Sequence, residues 1–386
     1  MSSDGPTRTS LREIASVFLR LGILGFGGPA AHIAMMEDEL VRRRGWLTRE
    51  RFLDLLGATN LIPGPNSTEL AIHIGRERAG WRGLLVAGAS FILPAFVIVL
   101  ACAWAYVRFG TRPAARGLFY GVAPVMVAVV LQALWRLGRT AVRTPALALV
   151  AVLSFATAVA GVHELVVLVA SGLLLAGWAW ARQRRSPPAG LVLLGAGTPA
   201  AFAAGAASAA ATVGLLPLFL IFLKTGAVLF GSGYVLLAYL RADLVLRRGW
   251  LTDAQLLDAV AVGQLTPGPV LTTATFVGYL LAGIGGAAAA TVGIFAPAFV
   301  FVALSSPLLP RLRRSVLAGG FLDGVNAASV ALMALVTVAL ARAAIVDPAT
   351  ATLAAAAAVL LIRFRVSVAW LVPAGAVAGL LLRGLR

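Results

Sequence analysis

The sequence predicts an all-α polytopic membrane protein made of two homologous repeats, with broken helices from both halves meeting near the midplane. Composition, the length of the apolar stretches and an internal repeat carry that expectation. Of the 386 residues, 60% are hydrophobic and 12% are charged, with a mean hydropathy of +0.94. A soluble domain holds about 45–50% apolar and about 25% charged residues. A water-soluble core has no use for such an excess, whereas a bilayer does. Runs of about 20 apolar residues, the length that crosses the hydrocarbon layer, recur along the chain. Residues 83–107, 117–135 and 166–181 are three of them. No secretory leader is expected, because residues 1–10 are polar and the first apolar run leads into glycines instead of a cleavage site.

A net charge of +17 would point to nucleic acid in a soluble chain. Here the arginines cluster between apolar runs, at Arg42-Arg43-Arg44, Arg136/Arg139/Arg143, Arg182/Arg184/Arg185 and Arg311/Arg313/Arg314. That pattern marks loops retained in the cytoplasm and places the chain in the cell inner membrane, against a lipid bilayer and not nucleic acid. The single cysteine, Cys102, excludes an internal disulfide framework, and three scattered histidines argue against a histidine metal site. No Walker A, nucleophile-elbow or His-Glu-x-x-His motif is present, so neither catalytic nor metal residues nor a cofactor are expected. Energy for transport would come from an ion, voltage or substrate gradient.

The repeat appears when 204 is added to a residue number. Gly22 falls on Gly226, Phe26-Gly27 on Phe230-Gly231, and Asp54 on Asp258. Arg43-Arg44-Gly45-Trp46-Leu47-Thr48 matches Arg247-Arg248-Gly249-Trp250-Leu251-Thr252, and Pro63-Gly64-Pro65 matches Pro267-Gly268-Pro269. One deletion later, Pro94-Ala95-Phe96-Val97 meets Pro297-Ala298-Phe299-Val300. The halves divide as residues 1–189 and 190–386. Two homologous halves in a membrane are the usual architecture of a transporter whose substrate binds where they meet. Loop charges favour inverted repeats: Arg136–Arg143 is basic and His163-Glu164 is not, whereas Arg342/Asp347 is neutral and Arg363/Arg365 is basic. The basic residues after Trp104 and after Pro307 occupy equivalent positions and oppose a flip. Each half shows about six apolar segments, which allows five or six crossings, and the Gly/Ala-rich run 190–214 supplies an extra one.

The chemistry is expected at the interruptions. Pro-Gly-Pro cannot continue a helix, and in lipid such a break survives only inside protein or against a water-filled cavity. Asn66, Ser67 and Thr68 follow one break and Thr272 and Thr273 the other, where new helices start with unpaired N–H groups and positive dipole ends. Two such starts can converge on an anion; kinks needed only for packing are the alternative. Gly64 and Gly268 let the breaks turn. Gly27-Gly28 and Gly231-Ser232 form a second candidate cradle, or a close helix contact. Arg20 and Lys224 occupy matching positions before the glycine breaks. A charge at mid-membrane costs at least about 2.5–3.5 kcal/mol, so both are candidate substrate cations. Arg20 can instead reach an interface. Glu69, whose repeat mate is Thr273, is the candidate coupling residue, carrying a proton or pairing with Arg20 or Lys224. Its alternative is an interfacial carboxylate balancing Arg76 and Arg78. His32 and His163 read as structural. Thr48 and Thr252 read as N-caps behind basic loops with an interfacial Trp.

Phe26-Gly27-Gly28-Pro29, the Arg-Arg-Gly-Trp-Leu-Thr repeat, Leu61-Ile62-Pro63-Gly64-Pro65 and Gln264-Leu265-Thr266-Pro267-Gly268-Pro269 together resemble the chromate ion transporter family in its long, two-repeat form. So does Thr273-Ala274-Thr275-Phe276-Val277-Gly278-Tyr279, and the likeness covers residues 18–100 and 222–302. The resemblance implies a secondary transporter that exports chromate and contributes to chromate resistance, with the Gly-Gly and Pro-Gly-Pro segments as its functional positions. Many members carry Gln where this chain has Glu69. Chromate and sulfate are both tetrahedral dianions suited to helix N-termini and one or two cations. A carrier for sulfate or another anion, and a non-transporting membrane sensor or assembly subunit, are the alternatives; the chain also allows a homodimer.

Overall fold

Proline and glycine decide where these helices stop. The structure, a computed structural model, describes residues 9–25, 28–110, 112–183, 213–230, 233, 235–305 and 315–384, and every regular element among them is helical. The first half runs α1 (Leu11–Leu24), α2 (Gly28–Met36) continued by a π-helical turn (Glu37–Arg43), α3 (Arg49–Thr59), α4 (Asn66–Phe109), α5 (Pro113–Ala141), α6 (Pro145–Val159) and α7 (Glu164–Gln183). The second runs α8 (Leu215–Val228), α9 (Leu236–Leu240) with a π-helical turn (Arg241–Arg247), α10 (Asp253–Leu265), a 3-10 turn (Val270–Thr272), α11 (Thr273–Ser305), α12 (Val316–Ala344), α13 (Pro348–Ile362) and α14 (Val368–Gly384). The π turns are 204 residues apart at both ends. Their wider winding is rare and recurs at functional positions. Correspondence extends to the generic distal spans, since α5 and α12 both have 29 residues and α6 and α13 both have 15.

The first two elements of each half enter the protein and turn back. Arg44 Nη1 reaches Glu13 Oε1 at 3.0 Å, which brings the end of the α2 π turn beside the start of α1. Arg51, near the start of α3, donates to Glu77 at 2.9 Å, so the first arm of α4 runs back along α3. In the second half Tyr239 Oη donates to Val228 O at 3.0 Å and closes α9 onto α8. In the first half α1 with α2, and α3 with the first arm of α4, thus form two hairpins that precede the longer helices. Among the described residues, five helices are long and apolar enough to cross a membrane: α4, α5, α7, α11 with its preceding turn, and α12.

α4 and α11 are themselves bent double. Backbone angles leave the helix at Ala79-Gly80 and at Ala282-Gly283, with φ of +62° and +60° at the two glycines. Thr275 Oγ1 lies 2.7 Å from Thr291 Oγ1, sixteen residues on. A continuous helix would hold them about 24 Å apart. Gly75 faces Gly83, and Gly278 faces Gly286, at the turn of each hairpin. The long outer arms are antiparallel to one another. Arg76 donates 2.9 Å to Val302 O near the end of α11, while Tyr106, near the end of α4, donates 2.7 Å to Asp258 on α10. Distal helices close around this centre, with α5 against α13 and α14, and α12 against α5, α6 and α7. The join between halves, the run 190–214 up to residue 212, and Arg311–Arg314 lie outside the described residues.

The glycine contacts give the first prediction. A methyl on Gly278 would sit 2.7 Å from Ala290 Cβ and against the Gly286 backbone. Gly278→Ala should cost about 1–3 kcal/mol of stability by overpacking. Gly177→Ala, at a helical glycine with nothing within 4 Å, should not destabilise the protein. Thermal unfolding of the purified variants in detergent checks both.

Candidate functional site

Each Pro-Gly-Pro break is held by the opposite half. Gly64 N donates to Leu229 O at 2.7 Å, and Gly268 N donates to Gly25 O at 2.8 Å. Because 25 and 64 map onto 229 and 268, the two bonds are one contact made twice. Pro63–Pro65 and Pro267–Pro269 are buried, as a break in a membrane interior requires. At Gly64 φ is +143° and at Gly268 +96°, a region L side chains avoid. Ala95 on the outer arm of α4 packs against Gly268, and Ala298 on that of α11 packs against Gly64. The N–H groups of both central glycines are thereby spent on backbone and do not face an anion, contrary to the simplest form of an anion cradle.

The first turn of α4 carries most of the polar candidates. Asn66 Nδ2 donates to Asn60 Oδ1 at 2.8 Å, on the exposed side of the break. Ser67 Oγ lies 3.3 Å from His32 Nδ1, while His32 Nε2 lies 2.8 Å from Gly25 O. His32 is thus structural, tying the first glycine break to the second break of the same half. Thr68 and Glu69 are wholly buried, and neither the Thr68 hydroxyl nor either Glu69 carboxyl oxygen has a hydrogen-bond partner. The Glu69 carboxyl fills the space that a side chain on Gly64 would take. It pairs with neither Arg20 nor Lys224. Nor does it balance Arg76 and Arg78: Arg76 donates to the carbonyls of Val302 and Ala303, and Arg78 to Thr9 and Trp46 O. In the second half Thr272 Oγ1 donates to Pro269 O at 2.7 Å and Thr273 Oγ1 to Val270 O at 2.8 Å. Those hydroxyls spend their protons on the local turn.

The glycine cradle is only partly described: Gly28 begins α2 with φ +77°, and Gly27, Gly231 and Ser232 lie outside the described residues. Arg20 is exposed on α1. Lys224 is no isolated cation. Its ammonium lies 2.5 Å from Asp243 Oδ2 on the second π turn. Arg247 reaches the other Asp243 oxygen at 2.6 Å and also Glu164 Oε1 at 2.8 Å, while Arg248 stands 3.5 Å from Asp243. Burial pushes the Asp243 carboxyl up, but Lys224 and Arg247 outweigh it and hold it below the usual carboxylate range. Three cations face two acids, so the cluster remains positive. Sequence reasoning missed Asp243 because it is distant along the chain from Lys224. The available signal was an acid at both Glu39 and Asp243, the same repeat position. Glu164 likewise gave no local sign of its pairing with Arg247, whereas Arg247 stands four residues from Asp243, the spacing of a helical ion pair. Thr48 and Thr252 cap α3 and α10 as expected, accepting from Arg51 N at 3.2 Å and Gln255 N at 3.1 Å.

Comparison with known proteins extends over the same two units. The profile of the chromate transporter family matches residues 12–178 and 216–380. A chromate transport protein of Cupriavidus metallidurans is 36% identical over 366 residues, covering 93% of this chain and 90% of the relative. One from Pseudomonas aeruginosa is 34% identical over 346 residues, 87% of this chain and 82% of the relative. An uncharacterized transporter of Bacillus subtilis is 30% identical over 126 residues, 33% of this chain and 71% of its own. No solved structure matches the chain. The two-repeat match and the identity along nearly the whole chain establish a multi-pass membrane transporter, not an enzyme, and the chain belongs to the chromate transporter family.

Proposed function

We propose that this chain is a secondary transporter that exports chromate, or a related tetrahedral oxyanion, across the cell inner membrane and so contributes to chromate resistance. The observation that carries the reading is the reciprocal seating of the two Pro-Gly-Pro breaks against the opposite halves. A scaffold or sensor has no need of paired helix interruptions at its centre. A transporter uses them to point helix N-termini at an anion where the halves meet. The names of the relatives support chromate as the substrate. The antiparallel outer arms of α4 and α11 support an inverted relation between the halves, with a two-fold axis in the membrane plane.

In this reading the oxyanion passes between the first turns of α4 and α11, bounded by Gly64, Asn66, Ser67 and Thr68 on one side and Gly268, Thr272 and Thr273 on the other. Lys224, half-buried within a cluster of net positive charge, draws the anion toward that junction, and Arg20 offers the weaker equivalent in the first half. A dianion entering the protein loses hydration that fixed cations and helix starts must replace. Glu69, packed against Gly64, couples movement of the anion to a second ion.

Uptake and efflux of labelled chromate and sulfate in proteoliposomes test the proposal. Saturable chromate flux is expected; flux of sulfate without chromate would make the chain a sulfate carrier, and flux of neither would leave a sensor or assembly subunit. Gly64→Val and Gly268→Val should abolish flux while membrane insertion stays largely unchanged, because each forces a strained φ and crowds the junction. Lys224→Gln leaves Asp243 paired with Arg247, so the protein should fold while anion affinity falls, about fivefold or more for a loss of about 1 kcal/mol. Lys224→Arg should keep part of the activity. Unchanged affinity in Lys224→Gln would return this lysine to a purely structural role.

A further inference from the structure

The pair between Arg247 and Glu164 joins the two halves through charge. Glu164 opens α7 in the first half, and Arg247 ends the π turn after α9 in the second. Both carboxyl oxygens of Glu164 accept from Arg247: Oε1 at 2.8 Å from Nη1, and Oε2 from Nη2. The matching cations of the first half, Arg43 and Arg44, pair inside their own half, with Asp38, Glu39 and Glu13. α14, the counterpart of α7, begins at Val368 and carries no acid in its first turn. Among the described residues, this tie therefore has no counterpart at the matching position.

The acids and the cations of the cluster differ in what reaches them. Glu164 is 6% exposed and Asp243 2%, whereas the side chains of Lys224 and Arg247 are each 34% exposed. An incoming anion meets the cations before the acids. Asp243 is gripped by Lys224, Arg247 and Arg248, while Glu164 is held by Arg247, with His163 3.8 Å away at the edge. Lys224 stands five residues before Leu229, about 7.5 Å along α8, and the Leu229 carbonyl receives the Gly64 N–H. Tyr239 fastens the same helix end to α9, from which the π turn continues directly. The pair is thus continuous with the breaks.

We infer that Glu164 is a latch on Arg247 that a dianion releases and a monoanion does not, so that the cluster selects the charge of the transported anion. The inference rests on the reading of the breaks as the oxyanion path. Three cations against two acids leave one positive charge, which a monoanion neutralises with both acids in place. A dianion there leaves an excess negative charge in a half-buried site, which is unfavourable. Releasing Glu164 restores neutrality, and Glu164 is the acid held by one arginine where Asp243 is held by three cations. Two oxygens of a tetrahedral dianion take the place of the carboxylate on the planar guanidinium, in the same two-bond geometry. With that tie gone α7 parts from the π turn, and the anion moves on to the junction of the breaks.

Paired nitroxide labels test the latch in otherwise intact protein. They are placed at Val162→Cys and Leu246→Cys, exposed positions beside Glu164 and Arg247, in a Cys102→Ser background. Well above the pH at which chromate takes a proton, the labels should couple strongly in the empty protein, and saturating chromate should weaken that coupling. Nitrate at the same concentration should leave it unchanged. Glu164→Gln should couple weakly without any anion and bind radiolabelled chromate about fivefold tighter or more, since no carboxylate competes for Arg247. Strong coupling that survives chromate binding would overturn the latch and leave the oxyanion path intact; this arm decides alone if Glu164→Gln fails to fold. Unchanged or weaker affinity in folded Glu164→Gln would also overturn it, and equal loosening by nitrate would overturn the charge selection. Failure of wild type to bind chromate would overturn the path, and the latch with it.

Discussion

The structure depends on one constraint: backbone polar groups at a helix break cannot be left without partners where water is excluded. An unsatisfied buried N–H or C=O costs about 1–3 kcal/mol, and a membrane interior offers no solvent to repair the loss. Four interruptions meet at the centre of this protein, and each half completes the other. Gly64 N is answered by Leu229 O, and Gly268 N by Gly25 O. Gly25 O also lies 2.8 Å from His32 Nε2, so one carbonyl ties together both breaks of the first half and one of the second. The positive φ at Gly64 and Gly268 follows from this geometry, as does the packing of Ala95 and Ala298 over them. Larger residues at those two alanines would hold the halves apart.

Much of this centre was legible along the chain because the repeat offset superposes features that are individually weak. One Pro-Gly-Pro is a kink; two, 204 residues apart and each followed by helix-starting residues, are a designed interruption. The offset also located the N-caps at Thr48 and Thr252. The hairpin turns within α4 and α11 were not legible. Ala79-Gly80 sits within the charged stretch Arg76–Arg82 and Ala282-Gly283 within an apolar run, so the two turns share no local pattern, and the close helix contact that needs them involves residues on both sides of the turn. The partner of Lys224 was hidden for a different reason. Its flanks are apolar in sequence, yet the hairpin returns Asp243 to its side, and Arg247 then ties this group to Glu164 in the first half. Local pattern predicts a cation in need of a partner but does not say which acid folds back to it.

The halves share a plan but differ in their charges. Arg247 is fastened to Asp243 and Glu164, whereas its mate Arg43 lies on Asp38 with most of its side chain in the open. Arg20 is exposed where Lys224 is paired. Glu69 is buried without a partner where Thr273 satisfies itself on its own turn. The backbone plan is thus repeated while the charges placed on it are not.

The most direct measurement of the central claim is anomalous diffraction at the chromium edge from crystals of the protein grown with chromate. The account predicts a chromium peak at the junction of the two halves, between the first turn of α4 after Pro65 and the turn after Pro269, within reach of Gly64 and Thr272. A peak elsewhere would contradict it, for example in the cavity that Thr144, Trp178, Arg182 and Asp323 line between α6, α7 and α12.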